Sequence, residues 1–170
     1  VGAERRAKFE RQFQRDVELL QVKLQDEAIL DAVRASNERH RGISLPEIEA
    51  LDRQWRTSGD EIMAKLTDSK CNNQLKLFQD TFKGFAEIFV ADAHGLNVCQ
   101  TNKTTDYYQA DEDWWVRVFE TGKVYRLPSL EFDESAGVFA VPVYLPVKEP
   151  TTGKVVAAAK AVILEDLGTP

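Results

Sequence analysis

Cysteine, histidine and methionine are scarce in this chain, at two, two and one among 170 residues. Cys71, Cys99, His40 and His94 stand far apart, with neither C-x-x-C nor H-x-x-x-H spacing, so a structural zinc site has no ligand set to build on. No metal and no cofactor is expected. The two cysteines form one disulfide in an oxidising compartment or remain two thiols elsewhere, and a pair of buried thiols is the expectation. Long apolar runs are also missing: no stretch reaches the roughly 18 residues of a membrane span, and VGAERRAKFE has no apolar core of the kind a signal peptide needs. Residues 1–170 therefore read as soluble, as would a segment lying between two spans. The chain has no G-x-S-x-G elbow, no phosphate-binding loop and no paired cysteine and histidine. Carboxylates such as Asp111 and Asp133 are able to do acid–base work, but nothing in the sequence ties them to one cleft, and no enzyme is expected. Positive charge is in deficit, with 22 basic against 28 acidic residues and a net charge of −6. That balance argues against nucleic acid, whose phosphates demand a basic face, and against an anionic membrane surface.

What is present suffices for one domain with a core, since 43% of the residues are hydrophobic. The first 35 residues contain few breakers, and Phe9, Phe13, Val17, Leu20 and Leu24 recur at helical spacing. They predict a single long amphipathic helix whose apolar stripe suits either ordinary core or a dimer seam. A helix of that length spans about 50 Å, more than the rest of the chain covers, so part of it is expected to project. Two capping boxes, Ser44-Leu45-Pro46-Glu47 and Ser58-Gly59-Asp60-Glu61, announce short helices. A further helix from about Asp68 sets Cys71, Leu75, Phe78 and Phe82 on one face.

At Phe85 the period becomes alternating. FAEIFVADAHGLNVCQT predicts a β-hairpin turning at Asp92-Ala93-His94-Gly95. Val124 to Leu127, Val138 to Val147 and Val155 to Ile163 predict further strands, and Pro142 and Pro146 demand that theirs be an edge strand or bulged. Between them, DYYQADEDWWVRVFETG predicts a loop and a short helix capped by Asp111 and ending at Gly122.

The long first helix, EIFVADAHGLNVCQTNKTTDYYQADEDWW, EFDESAG, VPVYLPV and TGKVVAAAKAVI together resemble the Cache (PDC) sensor domains, by motif over residues from about 68 to 164. The resemblance implies an α+β fold, with a long N-terminal helix and short helices packed on a five- to six-stranded antiparallel PAS-like sheet. It divides the chain into a helical part, 1–66, and a sheet with a ligand-pocket loop, 67–166, of one sensor domain. It further implies the extracytoplasmic or periplasmic input of a chemoreceptor or sensor histidine kinase, anchored by spans outside these residues, with VGAE and EDLGTP at the membrane-proximal edges. A homodimer through the N-terminal helix is expected.

In such domains the loop and helix after the second strand enclose a small-molecule pocket, so Tyr107, Tyr108, Trp114 and Trp115 are expected to wall it, as aromatics with polar tips suit that task. The plainer alternative makes some of these four core and makes Asp111, Glu112 and Asp113 a helix N-terminus favoured by the macrodipole. Against the amino-acid-binding branch, Tyr107 and Trp114 match and Trp115 stands for Tyr. The carboxylate-clamping Arg is replaced by Glu112, and the last strand offers Lys160 rather than Asp, so an α-amino acid read in the usual way is not implied. Lys160 interrupts an apolar strand and needs a partner, either a carboxylate such as Asp133, an anionic ligand, or water reached from a sheet edge. Arg126 is the second cationic candidate. The expected ligand is a small organic anion, a short carboxylate such as acetate. The rival reading is a ligand-free dimerisation or protein-docking module.

Overall fold

The computed structural model describes residues 1–168. The N-terminal periodicity yields two helices rather than one: α1 (Ala3–Lys23) and α2 (Glu27–Arg39). The break falls at Asp26, whose Oδ1 accepts from the Ala28 N–H at 2.9 Å and caps α2, while Oδ2 meets Lys23 Nζ at 3.0 Å. Turning there lets both helices lie on the sheet, so the expected projection does not occur. Phe9, Phe13, Val17, Leu20 and Leu24 are all between 0% and 6% exposed and belong to the main core. The stripe is core, and the dimer seam expected on it is corrected accordingly.

Short helices follow: α3 (Leu45–Arg56), α4 (Ile62–Leu66) and α5 (Ser69–Thr81). Ser44 caps α3 as its motif predicts, accepting from the Glu47 N–H. The second expected box does not form, because Ser58 Oγ donates back to the Gln54 carbonyl and the Glu61 carboxylate accepts from Gly59 N–H. Asp68 caps α5 through the Cys71 N–H, and Cys71, Leu75 and Phe78 face inward. Cys71 is bridged to Cys99, with Cα atoms 5.6 Å apart. The buried-thiol expectation is thus corrected: both cysteines are buried, and they are joined.

The sheet comprises β1 (Phe85–Asp92), β2 (Asn97–Gln100), β3 (Phe132–Asp133), β4 (Val138–Lys148) and β5 (Val155–Leu164), all antiparallel, in the order β2-β1-β5-β4-β3. The hairpin turn is where the sequence puts it, closed by Gly95 N–H to the Asp92 carbonyl at 3.0 Å. Gly95 has φ of 87°, and a Cβ there would stand 2.3 Å from that of Ala110, so the position requires glycine on two counts. The strand expected at Val124 to Leu127 is absent; only Tyr125 bridges Tyr144, and the short pairing falls at Phe132–Asp133 instead. Pro142 and Pro146 fit β4 because its even-numbered N–H groups point away from β5. Those of Ala140 and Tyr144 bond Glu131 and Tyr125, so the two prolines omit only outward donors.

One face of the sheet carries Val141, Val143, Leu145 and Val147 of β4 with Ala157, Ala159, Ala161 and Ile163 of β5, and packs under α1, α2 and α5. The other face lies under α6 (Asp113–Thr121), which ends at left-handed Gly122. Glu112, not Asp111, occupies the N-cap of α6, and it makes no side-chain cap. Thr169 and Pro170, the end of the expected membrane-proximal edge, lie outside the described residues.

Candidate ligand-binding cleft

Strand register decides what the second face of the sheet presents. On β1, β5 and β4, three cross-strand rows stand side by side: Ala91–Ala158–Pro146, Phe89–Lys160–Tyr144 and Glu87–Val162–Pro142. Lys160 therefore sits on the central strand, flanked by two aromatics, and the edge position that would let it reach water freely is not available. Its Nζ lies 5.9 Å from the centroid of the Phe89 ring. Among the described residues no ion pair includes it.

The first turn of α6 lays Trp114 across this row, stacked on Tyr144 at 5.1 Å and 15° and edge-on to Phe89 at 5.9 Å. Aromatic pairs at such separations add about 0.5–1.5 kcal/mol beyond the area they bury. Between this wall and the loop that follows β2 lies a cleft of about 270 Å³, lined by Glu87, Phe89, Thr104, Thr105, Asp106, Gln109, Glu112, Trp114, Tyr144 and Lys160. Burial pushes the Tyr144 hydroxyl above its ordinary range, with the neighbouring Tyr125, Glu112 and Glu131 adding to the shift.

The loop is held by a polar network rather than by secondary structure. Asn97 donates to Thr104 Oγ1 at 2.6 Å, Thr104 donates to the Asp106 carbonyl at 2.6 Å, and Gln109 donates to that carbonyl at 2.9 Å and to Asn97 Oδ1 at 3.3 Å. Asp52 of α3 accepts from the N–H groups of both Tyr107 and Tyr108, at 2.9 and 3.2 Å. Since buried polar groups are costly unless paired, these bonds give the loop one geometry.

A second buried cluster anchors the hairpin turn that underlies the loop. Asp92 accepts from Ser36 Oγ and His40 Nδ1, both at 2.7 Å, and from the N–H groups of His94 and Leu96 at 2.9 and 3.1 Å. Burial pushes the Asp92 carboxyl up, but these hydrogen bonds outweigh it and hold the group below the usual carboxylate range. Ser36 spends its proton on the carboxylate and not on His40, so the trio is a clamp between α2 and the turn, with no activated nucleophile.

Of the residues expected at the site, the structure brings Trp114 and Lys160 together and separates the rest. Tyr107 is 1% exposed and packs on Trp55 at 5.1 Å, its hydroxyl donating to the Leu66 carbonyl. Burial pushes that hydroxyl well above its ordinary range. Tyr108 joins the same helical cluster. Trp115 stacks on Phe119 at 4.4 Å and donates to the Asp92 carbonyl at 3.3 Å, so it faces the hairpin turn. Adjacent helical residues point about 100° apart, which is why only one of the two tryptophans reaches the cleft. Arg126 is taken up by α1: it pairs with Glu10 at 3.0 Å, lies over the Phe13 ring at 4.8 Å and leaves Nη1 buried without a partner. Asp133 is exposed and accepts from its own turn, Ser135 and Ala136, which hold its carboxyl below the usual range. It is not the partner of Lys160.

Sequence reading missed Glu87, Phe89, Thr104, Thr105, Asp106, Gln109 and Tyr144 as lining residues. For Glu87, Phe89 and Tyr144 the signal was the alternation of the strands: residues of β1 and β4 whose side chains leave the apolar face must meet whatever Lys160 meets. Nothing local marks the loop residues.

No protein-family model and no curated protein matches the sequence. Among solved structures the chain is similar to the extracellular domain of rpHK1S-Z16, named as a histidine kinase, at 17% identity and a TM-score of 0.41, over 88% of this chain and 57% of that one. It is similar to the ligand-binding domain of the Pseudomonas aeruginosa PAO1 amino acid chemoreceptor PctC, in complex with GABA, at 15% identity and a TM-score of 0.44, over 79% of this chain and 57% of the other. It is also similar to the sensory domain of the Campylobacter jejuni chemoreceptor Tlp3, at 13% identity and a TM-score of 0.42, over 94% and 63%. The chain thus spans between 57% and 63% of the length of these three. By name the three are an extracellular, a ligand-binding and a sensory domain, respectively.

Proposed function

We propose that this chain is the extracytoplasmic input domain of a membrane-anchored signal transducer, and that it senses a small organic molecule held in the cleft between Trp114, Tyr144, Lys160 and the loop 104–112. The observation that carries the reading is Lys160: an ammonium without an ion pair among the described residues, on the central strand of the sheet at the floor of a cleft with an aromatic wall. A cation so placed is costly unless a ligand or water satisfies it, and a charge-assisted bond from it to a carboxylate is stronger than a neutral one. A short carboxylate such as acetate is the ligand this lysine favours by itself. The Cys71–Cys99 bridge supports an extracytoplasmic location, since disulfides persist in oxidising compartments.

Thermal-shift screening of small metabolites, with intrinsic tryptophan fluorescence as a second readout, tests the reading. A binding ligand raises the melting temperature by mass action, and Lys160→Met abolishes that rise. If no metabolite moves either signal, the ligand-sensing reading falls and a docking module takes its place.

Homodimerisation through α1 is proposed on a different face from the one first expected. Leu19, Val22, Phe78 and Phe82 line an open apolar groove of about 350 Å³ between α1 and α5, and Val22 is 75% exposed. A second copy laid along this groove covers apolar surface that α1 leaves uncovered. Sedimentation of wild type against Val22→Lys tests it: a concentration-dependent dimer lost in the variant is expected, and a monomer in both removes the proposal.

A further inference from the structure

Two carboxylates are buried among the described residues, Asp92 and Asp16, and their surroundings differ. Asp92 accepts from a hydroxyl, an imidazole and two backbone N–H groups. Asp16, on α1, accepts from one neutral donor, Gln12 Nε2 at 3.1 Å. Its ion-pair partner Arg15 stands off at 3.9 Å on an exposed side chain, where water screens the attraction. The carboxylate lies against Gly84, just before β1: a Cβ on that glycine would stand 2.6 Å from Asp16 Oδ2. Gln12 is also buried. Its Nε2 donates to the Leu164 carbonyl at 2.8 Å as well as to Asp16, and its Oε1 accepts from the Asp166 N–H at 2.8 Å. One side-chain amide thus stitches α1 to the end of β5, and its third bond goes to a poorly compensated charge. We propose that Asp16 and Gln12 form a proton-responsive latch, which seats α1 more firmly on the end of β5 as the solution becomes weakly acid.

Seating α1 takes the Asp16 carboxylate out of water and gives it one amide in return, a cost that the neutral acid does not carry. Burial accordingly pushes the Asp16 carboxyl above its ordinary range, with Asp166 adding to the shift and Gln12 and Arg15 opposing it. The other charges at the junction leave that balance in place. Arg5 is committed to Glu165, at 2.7 and 2.8 Å, and Arg126 to Glu10. Lys8 and Arg11 line the groove beside Gln12 and Asp166, and Lys83 adjoins Gly84; all three are exposed, and none makes an ion pair among the described residues. The direction of the response follows. Above its raised folded value the ionised Asp16 opposes the seated helix, and this opposition is relieved as pH falls through that value toward the unfolded one of about 3.9. Glu165 runs the other way: Arg5 holds its carboxyl below the usual range, so its contribution is present above about 4.3 and is lost only in stronger acid. The junction is therefore firmest in weakly acid solution. The latch lies outside the cleft, and its test stands whether or not a ligand binds there.

An NMR titration of the wild type from neutral to acid solution follows the Asp16 carboxyl together with the side-chain amide of Gln12 and the backbone amides of Leu164 and Asp166. The carboxyl is expected to titrate above about 3.9, and the three amides are expected to shift with the same midpoint. In Asp16→Asn, which keeps the shape and the acceptor oxygen, that shared midpoint should vanish, whereas any shift caused by the Asp166 carboxyl persists. Urea denaturation gives the second readout. The wild type should become more stable on mild acidification, by about tenfold in its folding constant for each unit separating the Asp16 midpoint from the unfolded value. Asp16→Asn should be the more stable protein at neutral pH and should gain nothing over the same range. An Asp16 carboxyl that titrates at or below its ordinary value overturns the proposal in the wild type alone, without recourse to a variant. A raised midpoint that the amides of Gln12, Leu164 and Asp166 do not share overturns it too, because the proton would then leave the α1–β5 junction unchanged.

Discussion

Replacing Asp92 tests the buried clamp on which the hairpin turn and the cleft loop rest. The carboxylate is fully buried and accepts four hydrogen bonds, from Ser36, His40, His94 and Leu96. Asp92→Ala leaves four donors, three of them buried, beside a small void. Each stranded group costs about 1–3 kcal/mol taken singly, but the terms do not add, because water entering the void satisfies some of them. The loss expected for removing one partner of a buried hydrogen-bonded pair, about 3–5 kcal/mol, is the better guide. Asp92→Asn keeps one oxygen for the two backbone N–H groups and loses acceptance from Ser36 and His40, so about 2 kcal/mol is expected. Urea denaturation at neutral pH measures both. The pH dependence has a definite sign. The folded carboxyl titrates below its unfolded value of about 3.9, so its contribution is fully present above that pH and is lost as pH falls through the lower folded value. The gap between wild type and Asp92→Asn should therefore shrink in strongly acid solution. An Asp92→Ala loss under about 1 kcal/mol, or a gap that does not change with acid, would refute the reasoning.

Other consequences are open to the same measurements. The Cys71→Ala/Cys99→Ala variant frees a loop with a sequence separation of 28 and should lose about 3–4 kcal/mol; equal midpoints with and without reductant in the wild type would contradict a native bridge. Gly95→Ala combines a left-handed backbone with a clash against Ala110, and a loss of at least about 2 kcal/mol in denaturation is expected, whereas a neutral result would mean the loop is not packed there. Leu20→Ala should cost about 3 kcal/mol by leaving a core cavity without altering the sedimentation coefficient; a changed oligomeric state with unchanged stability would return the α1 stripe to an interface.

Local features of the sequence determined much of the fold. The caps at Ser44 and Asp68, the turn at Asp92 to Gly95 and the alternation of β4 and β5 depend on neighbours a few residues away, and they are legible for that reason. The α+β class and the outward-facing prolines of β4 follow from the same short-range rules. Tertiary structure decided the rest. The N-terminal periodicity runs through Leu24 without a breaker, and only the gain from laying α2 on the sheet explains why Asp26 starts a new helix. Cys71 and Cys99 meet because α5 packs against β2, a contact no spacing announces. The aromatic cluster DYYQADEDWW reads as one feature along the chain, yet it serves three places: Tyr107 and Tyr108 in the helical cluster, Trp114 over the sheet and Trp115 at the hairpin turn. Lys160 is visible in sequence as a charge in an apolar strand. Its meaning came from strand order, which put β5 in the centre, and from register, which set it between Phe89 and Tyr144 with Glu87 on the same face. Side-chain direction within an element has a fixed period; what stands opposite is settled only when distant segments pack.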